Sequence, residues 1–195
     1  MPGPIRAAIL TISDRCSRGE TVDTSGPALA RICTSDLGAE VVHRACVTDD
    51  PDGIEAQLGA WVRTEPTIDL ILTTGGTGLA PRDHAPEAAM RVIERPHAGL
   101  MELARLRCYE KTPRAYLSRG VAGAARQSLI ITLPGSERGS TENLQAILDI
   151  LPHAIETLRG EVVDDGRTNA SDNVAESPVA LRAPADRPPG DQHHA

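Results

Sequence analysis

Short apolar runs rich in β-branched residues alternate along this chain with segments of helical spacing, and this alternation constrains the fold most. The predicted strands are 5–13, 40–47, 68–74 and 127–135. The predicted helices are 24–38, 49–63, 86–95, 97–110 and 140–161. Strands that alternate with helices form a mostly parallel sheet with helices on both faces. We therefore predict an α/β fold, a three-layer α/β/α sandwich around a mostly parallel sheet.

Capping residues and prolines predict where these helices begin and break. Ser25 is a candidate N-cap of the first helix, and Asp50, followed by Pro51, is a candidate N-cap of the second. Pro96 is expected to separate the third and fourth helices, and Pro152 to break or kink the last one.

The patterned part of the chain ends well before the last residue. Residues 5–161 are enough for a single domain, since domains commonly contain roughly 100–200 residues. Residues 162–195 are rich in Asp, Pro, Gly and Ala and have no sustained period. We expect this segment to be a disordered tail, because such a composition buries too little apolar surface to fold.

Composition argues against several classes of partner. The net charge is −7, with no Phe, one Trp and two Tyr, so the chain offers neither a basic surface nor stacking platforms for nucleic acid. It has no apolar run near the roughly 20 residues of a spanning helix, so we expect no membrane association. The first residues lead directly into a strand pattern without a signal peptide, which favours the cytoplasm. The four scattered cysteines (Cys16, Cys33, Cys46 and Cys108) have no metal-site spacing and are expected to be buried or half-buried free thiols.

The ends of the predicted strands carry small hydroxyl residues, carboxylates and glycines. The strand ends are Ser13-Asp14, Thr48-Asp49, Thr73-Thr74 followed by the glycine turn, and Pro134-Gly135-Ser136. In open α/β sheets, ligands bind beyond the carboxyl ends of the strands, near a switch in strand order. Backbone N–H groups and hydroxyls at that edge suit a polyanion, so we predict a phosphate-binding site there.

The segment Gly75-Gly76-Thr77-Gly78 is either a tight turn or a backbone cradle for phosphate. A Walker P-loop is excluded, since Leu79-Ala80 follows the last glycine and the only lysine is the distant Lys111. The spacing of the dinucleotide-binding glycine motif is not matched either.

Asp49 and Asp83 each have a structural explanation, because a carboxylate near the start of a helix is favoured by the helix dipole. The glycine turn is followed by no lysine that could neutralise the charge of a phosphate. The presence of both aspartates near it therefore favours a divalent metal in that role. Carboxylates are the protein ligands that Mg²⁺ prefers.

The segments "TISDRCSRGE", "DTSGP", "TTGGTGLAPRDHAPEA", "TPRAYLSRGVAG" and "SLIITLPGS" together closely resemble the molybdopterin adenylyltransferase family of molybdenum cofactor biosynthesis. The resemblance extends from about residue 5 to residue 160. The motif after the third strand is shared by a wider superfamily, which includes molybdate-insertion proteins and a group of nucleotide hydrolases. The opening motif and the short length point to the stand-alone adenylyltransferase branch.

The resemblance implies an enzyme that transfers AMP from ATP to the terminal phosphate of molybdopterin, with Mg²⁺ and release of pyrophosphate. It implies that Asp49 and Asp83 are the catalytic, metal-linked carboxylates. The implied substrate-binding residues are Ser13, Asp14, Thr74, Gly75, Gly76, Thr77, Gly78, Ser118, Arg119, Pro134, Gly135 and Ser136. It further implies a homotrimer, and the molybdate-insertion enzyme is a candidate partner.

The chain departs from the family pattern in two places. It has Asp83-His84-Ala85-Pro86, in which Ala85 offers no side-chain oxygen to cap the next helix, and we expect His84 to be a surface residue. The segment "ERGSTENL" after Ser136 replaces a more proline- and lysine-like run, which puts anion contacts there in doubt. Among the arginines, we expect Arg119 to meet the pterin phosphate.

Two other functions stay open at this point. One is a non-catalytic relative that binds molybdopterin or nucleotide without transfer. The other is a nucleotide pyrophosphohydrolase on the same fold, which usually carries an additional domain.

Overall fold

A computed structural model describes residues 3–160 of the chain. The predicted tail, 162–195, lies outside the described residues. The strands are β1 (Arg6–Ile12), β2 (Glu40–Val47), β3 (Leu70–Thr74), β4 (Arg95–Pro96), β5 (Ala122–Ala125) and β6 (Ser128–Leu133). The helices are α1 (Asp14–Ser17), α2 (Ser25–Ser35), α3 (Pro51–Val62), α4 (Ala85–Val92), α5 (Ala98–Tyr109), α6 (Glu137–Gln145) and α7 (Leu151–Arg159). Two 3₁₀ turns, Pro113–Leu117 and Leu148–Ile150, complete the described elements.

The strands form one sheet in the order β2-β1-β3-β6-β5-β4. The four strands β2, β1, β3 and β6 are parallel, so their carboxyl ends lie at the same edge. Strand β5 pairs antiparallel with β6, and β4 pairs antiparallel with β5. The predicted mostly parallel sheet is therefore confirmed, with two antiparallel strands added at one side.

Strands β4 and β5 were not predicted, and their sequences explain why. Strand β5 reads Ala-Gly-Ala-Ala, which lacks the β-branched and aromatic residues typical of strands. It is a strand because its backbone pairs with β6 on one side and with β4 on the other. A Cβ on Gly123 would lie 2.4 Å from Ile93 Cγ2 and 2.7 Å from the carbonyl oxygen of Arg95, so the close pairing requires glycine there. Pro96 does separate α4 from α5, but as a member of β4.

The predicted caps are partly correct. Asp50 caps α3, since its Oδ2 accepts a hydrogen bond from the Gly53 N–H at 2.8 Å. The prediction for Ser25 was wrong: Thr24 occupies the N-cap position without a side-chain bond, and Ser25 is the first helical residue. The preceding Asp23 accepts the Gly26 N–H through Oδ1 at 2.9 Å, so a carboxylate takes the role expected of the hydroxyl.

The C-terminal helical segment breaks earlier than predicted. Helix α6 ends at Gln145, a 3₁₀ turn follows, and α7 begins at Leu151. Pro152 lies in the first turn of α7, where a missing N–H costs no hydrogen bond. The proline therefore helps to begin a new helix and does not kink a continuous one.

Two apolar layers cover the two faces of the sheet. Alternate strand residues point to opposite sides, so that Ile9 packs with Leu29 of α2 and Leu144 of α6, whereas Leu10 packs with Ile54 of α3. This arrangement is the predicted three-layer sandwich. Among residues 3–160, none of the helices has the length and apolarity that crossing a bilayer requires.

Candidate functional site

The loop after β3 is packed so closely that two of its positions require glycine. Gly75 has φ +113° and Gly76 has φ +61°, in the left-handed region that other residues rarely adopt. A Cβ on Gly75 would lie 2.1 Å from the carbonyl oxygen of Ile12, at the end of β1. A Cβ on Gly135, just after β6, would lie 3.1 Å from the Cα of Gly75. The glycine cluster thus brings the ends of three strands into contact.

Asp14 and Asp49 bind each other's backbone across the ends of β1 and β2. The Asp14 N–H donates to Asp49 Oδ2 at 3.0 Å, and the Asp49 N–H donates to Asp14 Oδ1 at 3.1 Å. The other oxygen of Asp14 forms an ion pair with Arg82, from the loop after β3. This reciprocal pair fixes the position of both carboxylates relative to the sheet edge.

Asp49 and Asp83 approach the same glycine loop from different elements. The position of a Cβ on Gly76 would be 3.5 Å from Asp49 Oδ1. The position of a Cβ on Gly78, two residues further, would be 2.8 Å from Asp83 Oδ2. Asp83 Oδ2 also accepts a hydrogen bond from the Ala80 N–H at 2.9 Å. The two carboxylates, which are far apart in sequence, therefore border the same short loop.

Ser118 and Arg119 support the glycine loop from the segment that precedes β5. Ser118 Oγ donates to Thr77 Oγ1 at 3.2 Å, and the Arg119 N–H donates to the Thr77 carbonyl at 2.8 Å. The Arg119 guanidinium contacts the carbonyl oxygens of Gly78 and Asp83 and the carboxylate of Glu87.

The Glu87 carboxylate titrates below its usual range because of this contact. Burial works against ionisation of Glu87, but hydrogen bonds from Arg119 and from its own backbone outweigh it, so the pKa of Glu87 is lowered. The lowered pKa keeps the Glu87 carboxylate ionised at neutral pH, where it faces the Arg119 guanidinium.

Two cavities meet at the glycine loop. The first, which we call the Asp83 cavity, has a volume of about 480 Å³. The predicted site residues that line it are Gly76, Thr77, Gly78, Asp83, Ser118, Pro134, Gly135 and Ser136. The second, which we call the Asp49 cavity, has a volume of about 340 Å³. The predicted site residues that line it are Ser13, Asp49, Thr74, Gly75, Gly76 and Gly135.

Gly76 and Gly135 line both cavities, so the two spaces share a rim. Within residues 3–160, the predicted site residues absent from both linings are Asp14 and Arg119. Asp14 is bonded to Asp49 at this edge, and Arg119 is bonded to the glycine loop.

Several lining residues were missed by the sequence analysis. In the Asp83 cavity they include Thr112, just before the 3₁₀ turn that follows α5, and Glu142 and Asn143 on α6. Arg114, on that turn, lines the same cavity. The segment "TPRAYLSR" contains Arg114 and was noticed as a motif, but nothing in the sequence shows that α6 turns its polar face toward the same space. Asn143 is only 3% exposed, and its Nδ2 donates to the Gly139 carbonyl at 2.8 Å.

In the Asp49 cavity, Asp23 was missed. Its Oδ2 accepts a hydrogen bond from Thr11 Oγ1 at 2.7 Å. Asp23 therefore joins Asp14, Asp49 and Asp83 as a fourth carboxylate at this sheet edge, beside the end of β1.

Two expectations about single residues need correction. Ala85 is the first residue of α4 and is fully buried, with its Cβ 3.3 Å from the position of a Cβ on Gly76, so a small side chain is required there for packing. The N-cap residue is His84, which makes no side-chain capping bond.

Cys46 is exposed, and not buried or half-buried as expected of the four thiols.

The carboxylates can accommodate a magnesium ion only with help from a ligand. No group of three or more His, Cys, Asp or Glu side chains within residues 3–160 could hold a metal by itself. Mg²⁺ is usually bound by one or two carboxylates together with substrate phosphates and water. Asp49 and Asp83 each use Oδ2 for a backbone N–H, so within residues 3–160 the other oxygen of each carboxylate is left for such an ion.

Comparison with known proteins gives the family. The model of the family described as "Probable molybdopterin binding domain" matches residues 8–153. Molybdopterin adenylyltransferase of Helicobacter pylori is 36% identical over 166 residues, which cover 85% of this chain and 94% of that protein. Molybdenum cofactor synthesis protein cinnamon of Drosophila melanogaster is 39% identical over 166 residues, and the chain spans only 28% of its length.

Among solved structures, the molybdopterin biosynthesis enzyme MoaB from Thermus thermophilus superimposes with a TM-score of 0.75 at 46% identity. The match covers 80% of this chain and 97% of that one. The two cavities, the shared glycine rim and the sandwich fold therefore lie within the matched region of a known family. The chain belongs to the molybdopterin-binding domain family of molybdenum cofactor biosynthesis.

Proposed function

We propose that this protein transfers AMP from ATP to the terminal phosphate of molybdopterin and releases pyrophosphate. The observation that carries the proposal is the meeting of the Asp49 cavity and the Asp83 cavity at one glycine rim, with a carboxylate on each side. Two adjacent spaces suit a reaction between two substrates. The Helicobacter relative that the chain matches over 94% of its length is named for this activity.

The chemistry requires no protein nucleophile. An oxygen of the pterin phosphate attacks the α-phosphorus of ATP, a new phosphoanhydride bond forms, and the bond to the β-phosphate breaks as pyrophosphate leaves. Such transfers depend on positioning and on charge neutralisation. In this proposal Asp49 and Asp83 hold Mg²⁺, which when bound neutralises phosphate charge. The backbone N–H groups of Gly76, Thr77 and Gly78, with Ser13 and Ser136 as hydroxyl donors, bind the phosphates, and Ser118 holds Thr77 in place.

Release of pyrophosphate tests the proposal directly. Purified protein is incubated with molybdopterin, ATP and Mg²⁺, and pyrophosphate is measured. We expect Asp49→Asn and Asp83→Asn each to reduce the rate by about 100-fold or more, because charge stabilisation at the reacting phosphate is lost. Asp52→Asn is the control, since this exposed carboxylate pairs with Arg91 on the outer face of α3.

The other outcomes separate the alternatives. Retained molybdopterin binding without pyrophosphate release from the wild type would favour a binding protein. Cleavage of an ADP-ribose-like substrate in the absence of pterin would favour a hydrolase. Wild-type rates in both aspartate variants would contradict the assigned roles even if transfer itself occurs.

We also propose a homotrimer. Four large side chains on α5 and the following 3₁₀ turn are more than half exposed: Leu106, Tyr109, Tyr116 and Leu117. The rings of Tyr109 and Tyr116 pack edge to face with centroids 5.5 Å apart. Aromatic side chains of this kind are enriched at protein interfaces, which supports self-association there. Sedimentation equilibrium measures the oligomeric state.

The cellular setting is the last part of this proposal. We place the protein in the cytoplasm and name the molybdate-insertion enzyme as the partner that receives the adenylylated product. Cell fractionation and co-purification with that enzyme test these two points.

A further inference from the structure

We propose that Arg119 is a positioning residue. Its guanidinium binds both ends of the loop from Gly78 to Asp83 and so sets the direction of the Asp83 carboxylate. This inference rests on the proposed function, in which Asp83 holds the metal. It replaces the expectation that Arg119 binds the pterin phosphate.

One guanidinium contacts both ends of the loop. Arg119 Nε donates to the Gly78 carbonyl at 2.7 Å, and its terminal nitrogens reach the Asp83 carbonyl and the Glu87 carboxylate. The contacts use three different nitrogen atoms and three different acceptors. Such planar, forked donation is specific to arginine.

The position of the guanidinium agrees with this role. The Arg119 side chain is 35% exposed, and within residues 3–160 it is absent from the lining of both cavities. Its backbone N–H is also engaged, with the Thr77 carbonyl at 2.8 Å. Arg119 therefore holds the loop through its hydrogen bonds without lining either cavity.

The loop between these ends has few other attachments. Residues 79–82 are all exposed. Inside the loop, Ala80 and Asp83 bind each other: the Asp83 N–H donates to the Ala80 carbonyl and the Ala80 N–H donates to Asp83 Oδ2, each at 2.9 Å. Arg82 reaches out to Asp14, but its side chain is 72% exposed. Because Asp83 Oδ2 is held by the loop itself, a shift of the loop ends would turn the carboxylate.

Arg119 is in turn held from α5 by a second arginine. Arg105 Nε donates to the Ser118 carbonyl at 3.1 Å, and its terminal nitrogen donates to the Gly120 carbonyl at 2.6 Å. The residues on both sides of Arg119 are thus fixed to a helix of the core layer. Arg119 therefore projects from a backbone segment that α5 holds in place.

The test is Arg119→Lys, which keeps the charge but cannot make three forked contacts. We expect the amide hydrogens of Ala80 and Asp83 to exchange about tenfold faster in the free protein, because local opening of the loop becomes easier. We expect the Mg²⁺ concentration for half-maximal pyrophosphate release to rise about tenfold, because Asp83 is less well positioned. Molybdopterin affinity, measured by binding without ATP, should stay unchanged.

Two further variants complete the experiment. Arg107→Lys is the matched control, because Arg107 also joins a carbonyl (Ala146) and a carboxylate (Asp149) but lies away from the loop. It should change neither exchange at residues 78–83 nor the Mg²⁺ dependence. Glu87→Gln removes the charge of the single carboxylate among the three acceptors but leaves both carbonyl contacts, so it should give a smaller change in the same direction as Arg119→Lys.

The outcomes distinguish this inference from the proposed function. If Arg119→Lys weakens molybdopterin binding while exchange at residues 78–83 is unchanged, Arg119 contacts the ligand and the inference is wrong. Unchanged exchange with unchanged Mg²⁺ dependence also overturns it. If the wild type releases no pyrophosphate, the proposed function fails, and the exchange measurement still decides whether Arg119 holds the loop.

Discussion

Thr73 and Thr132 are fully buried neighbours on β3 and β6, yet their hydroxyl groups have different surroundings. Thr132 Oγ1 accepts the Val121 N–H at 2.7 Å and donates to the Val121 carbonyl at 3.2 Å. Thr73 Oγ1 has no hydrogen-bond partner among the described residues. A buried hydroxyl without a partner is costly, whereas a bonded one holds two strands together.

This difference predicts opposite effects of one substitution. Thr73→Val should leave stability unchanged or raise it by up to about 1 kcal/mol, because an unpaired hydroxyl is removed. Thr132→Val should cost about 1–3 kcal/mol, because the Val121 N–H loses its acceptor. Urea denaturation followed by the fluorescence of Trp61, which is 6% exposed, measures both. A larger loss from Thr73→Val than from Thr132→Val would contradict the hydrogen-bond assignment.

The cysteines differ at the same scale, because burial decides their reactivity. Burial raises the pKa of the Cys33 thiol to about 12, and the residue is completely inaccessible. Burial of the sulfur, followed by the nearby Cys16, raises the pKa of the exposed Cys46 to about 11. The thiolate is the reactive form, so both groups are mostly protonated at neutral pH.

Alkylation of the native protein by iodoacetamide should therefore depend on pH and on position. Below its pKa, the thiolate fraction of Cys46 grows about tenfold for each pH unit, so its labelling should be about ten times faster at pH 9 than at pH 8. Cys33 should stay unlabelled at both values and become labelled in urea. Peptide mass spectrometry gives the site of each label. Equal labelling of Cys33 and Cys46 in the native state would show that the buried assignment is wrong.

At the scale of elements, the loop after β3 depends on backbone geometry. Gly75 is held between β1 and β6 by the hydrogen bond from its N–H to the Leu133 carbonyl at 3.1 Å. The packing that orders this loop leaves no room for a side chain at position 75. The loop can therefore approach a phosphate closely only because its glycines accept positive φ.

We expect Gly75→Ala to destabilise the protein and to abolish activity. Backbone strain alone should cost about 1–3 kcal/mol, and the clash with the Ile12 carbonyl adds to it. Gly99→Ala is the control, since Gly99 is an exposed residue of α5 whose Cβ would meet only the ring of the exposed His97 at 3.3 Å. It should be neutral or stabilising by up to about 1 kcal/mol. Thermal unfolding of both variants checks the difference, and an equal effect would mean that the tight packing of Gly75 is not required.

At the scale of the whole molecule, Arg159 joins the end of the described chain to Asp69, just before β3, and to the first described residues. Arg159, at the end of α7, binds both oxygens of Asp69 at 2.8 and 2.7 Å and donates to the carbonyls of Gly3 and Pro4. Asp69 Oδ2 also accepts the Arg6 N–H at 2.7 Å. The side chains of Asp69 and Arg159 are only 5% and 17% exposed.

Removal of this pair should have a larger effect than removal of a surface pair. Arg159→Ala leaves a buried carboxylate without its charge partner and is expected to cost about 3–5 kcal/mol. Arg107→Ala removes an exposed pair with Asp149 and should cost about 1 kcal/mol or less. Urea denaturation compares the two variants. A similar loss for both would indicate that the Asp69–Arg159 pair adds little to stability.

Hydrophobic pattern and residue type alone predicted the four parallel strands, the long helices between them but not the short α1, and the edge at which Asp49, Asp83 and the glycine cluster lie. These features depend on local periodicity and on the rule that parallel strands end together, so a single sequence carries them. The family resemblance added Ser118 and Arg119 to the site.

Only the tertiary structure decided the features that depend on distant partners. Strand β5 is made of alanine and glycine, and its conformation comes from pairing with β6 and β4. The carbonyl oxygens that Arg119 contacts belong to Gly78 and Asp83, which lie 41 and 36 residues earlier in the chain. Residue type shows that an arginine can donate several hydrogen bonds, but the acceptor that it meets is set by how the remote segments pack.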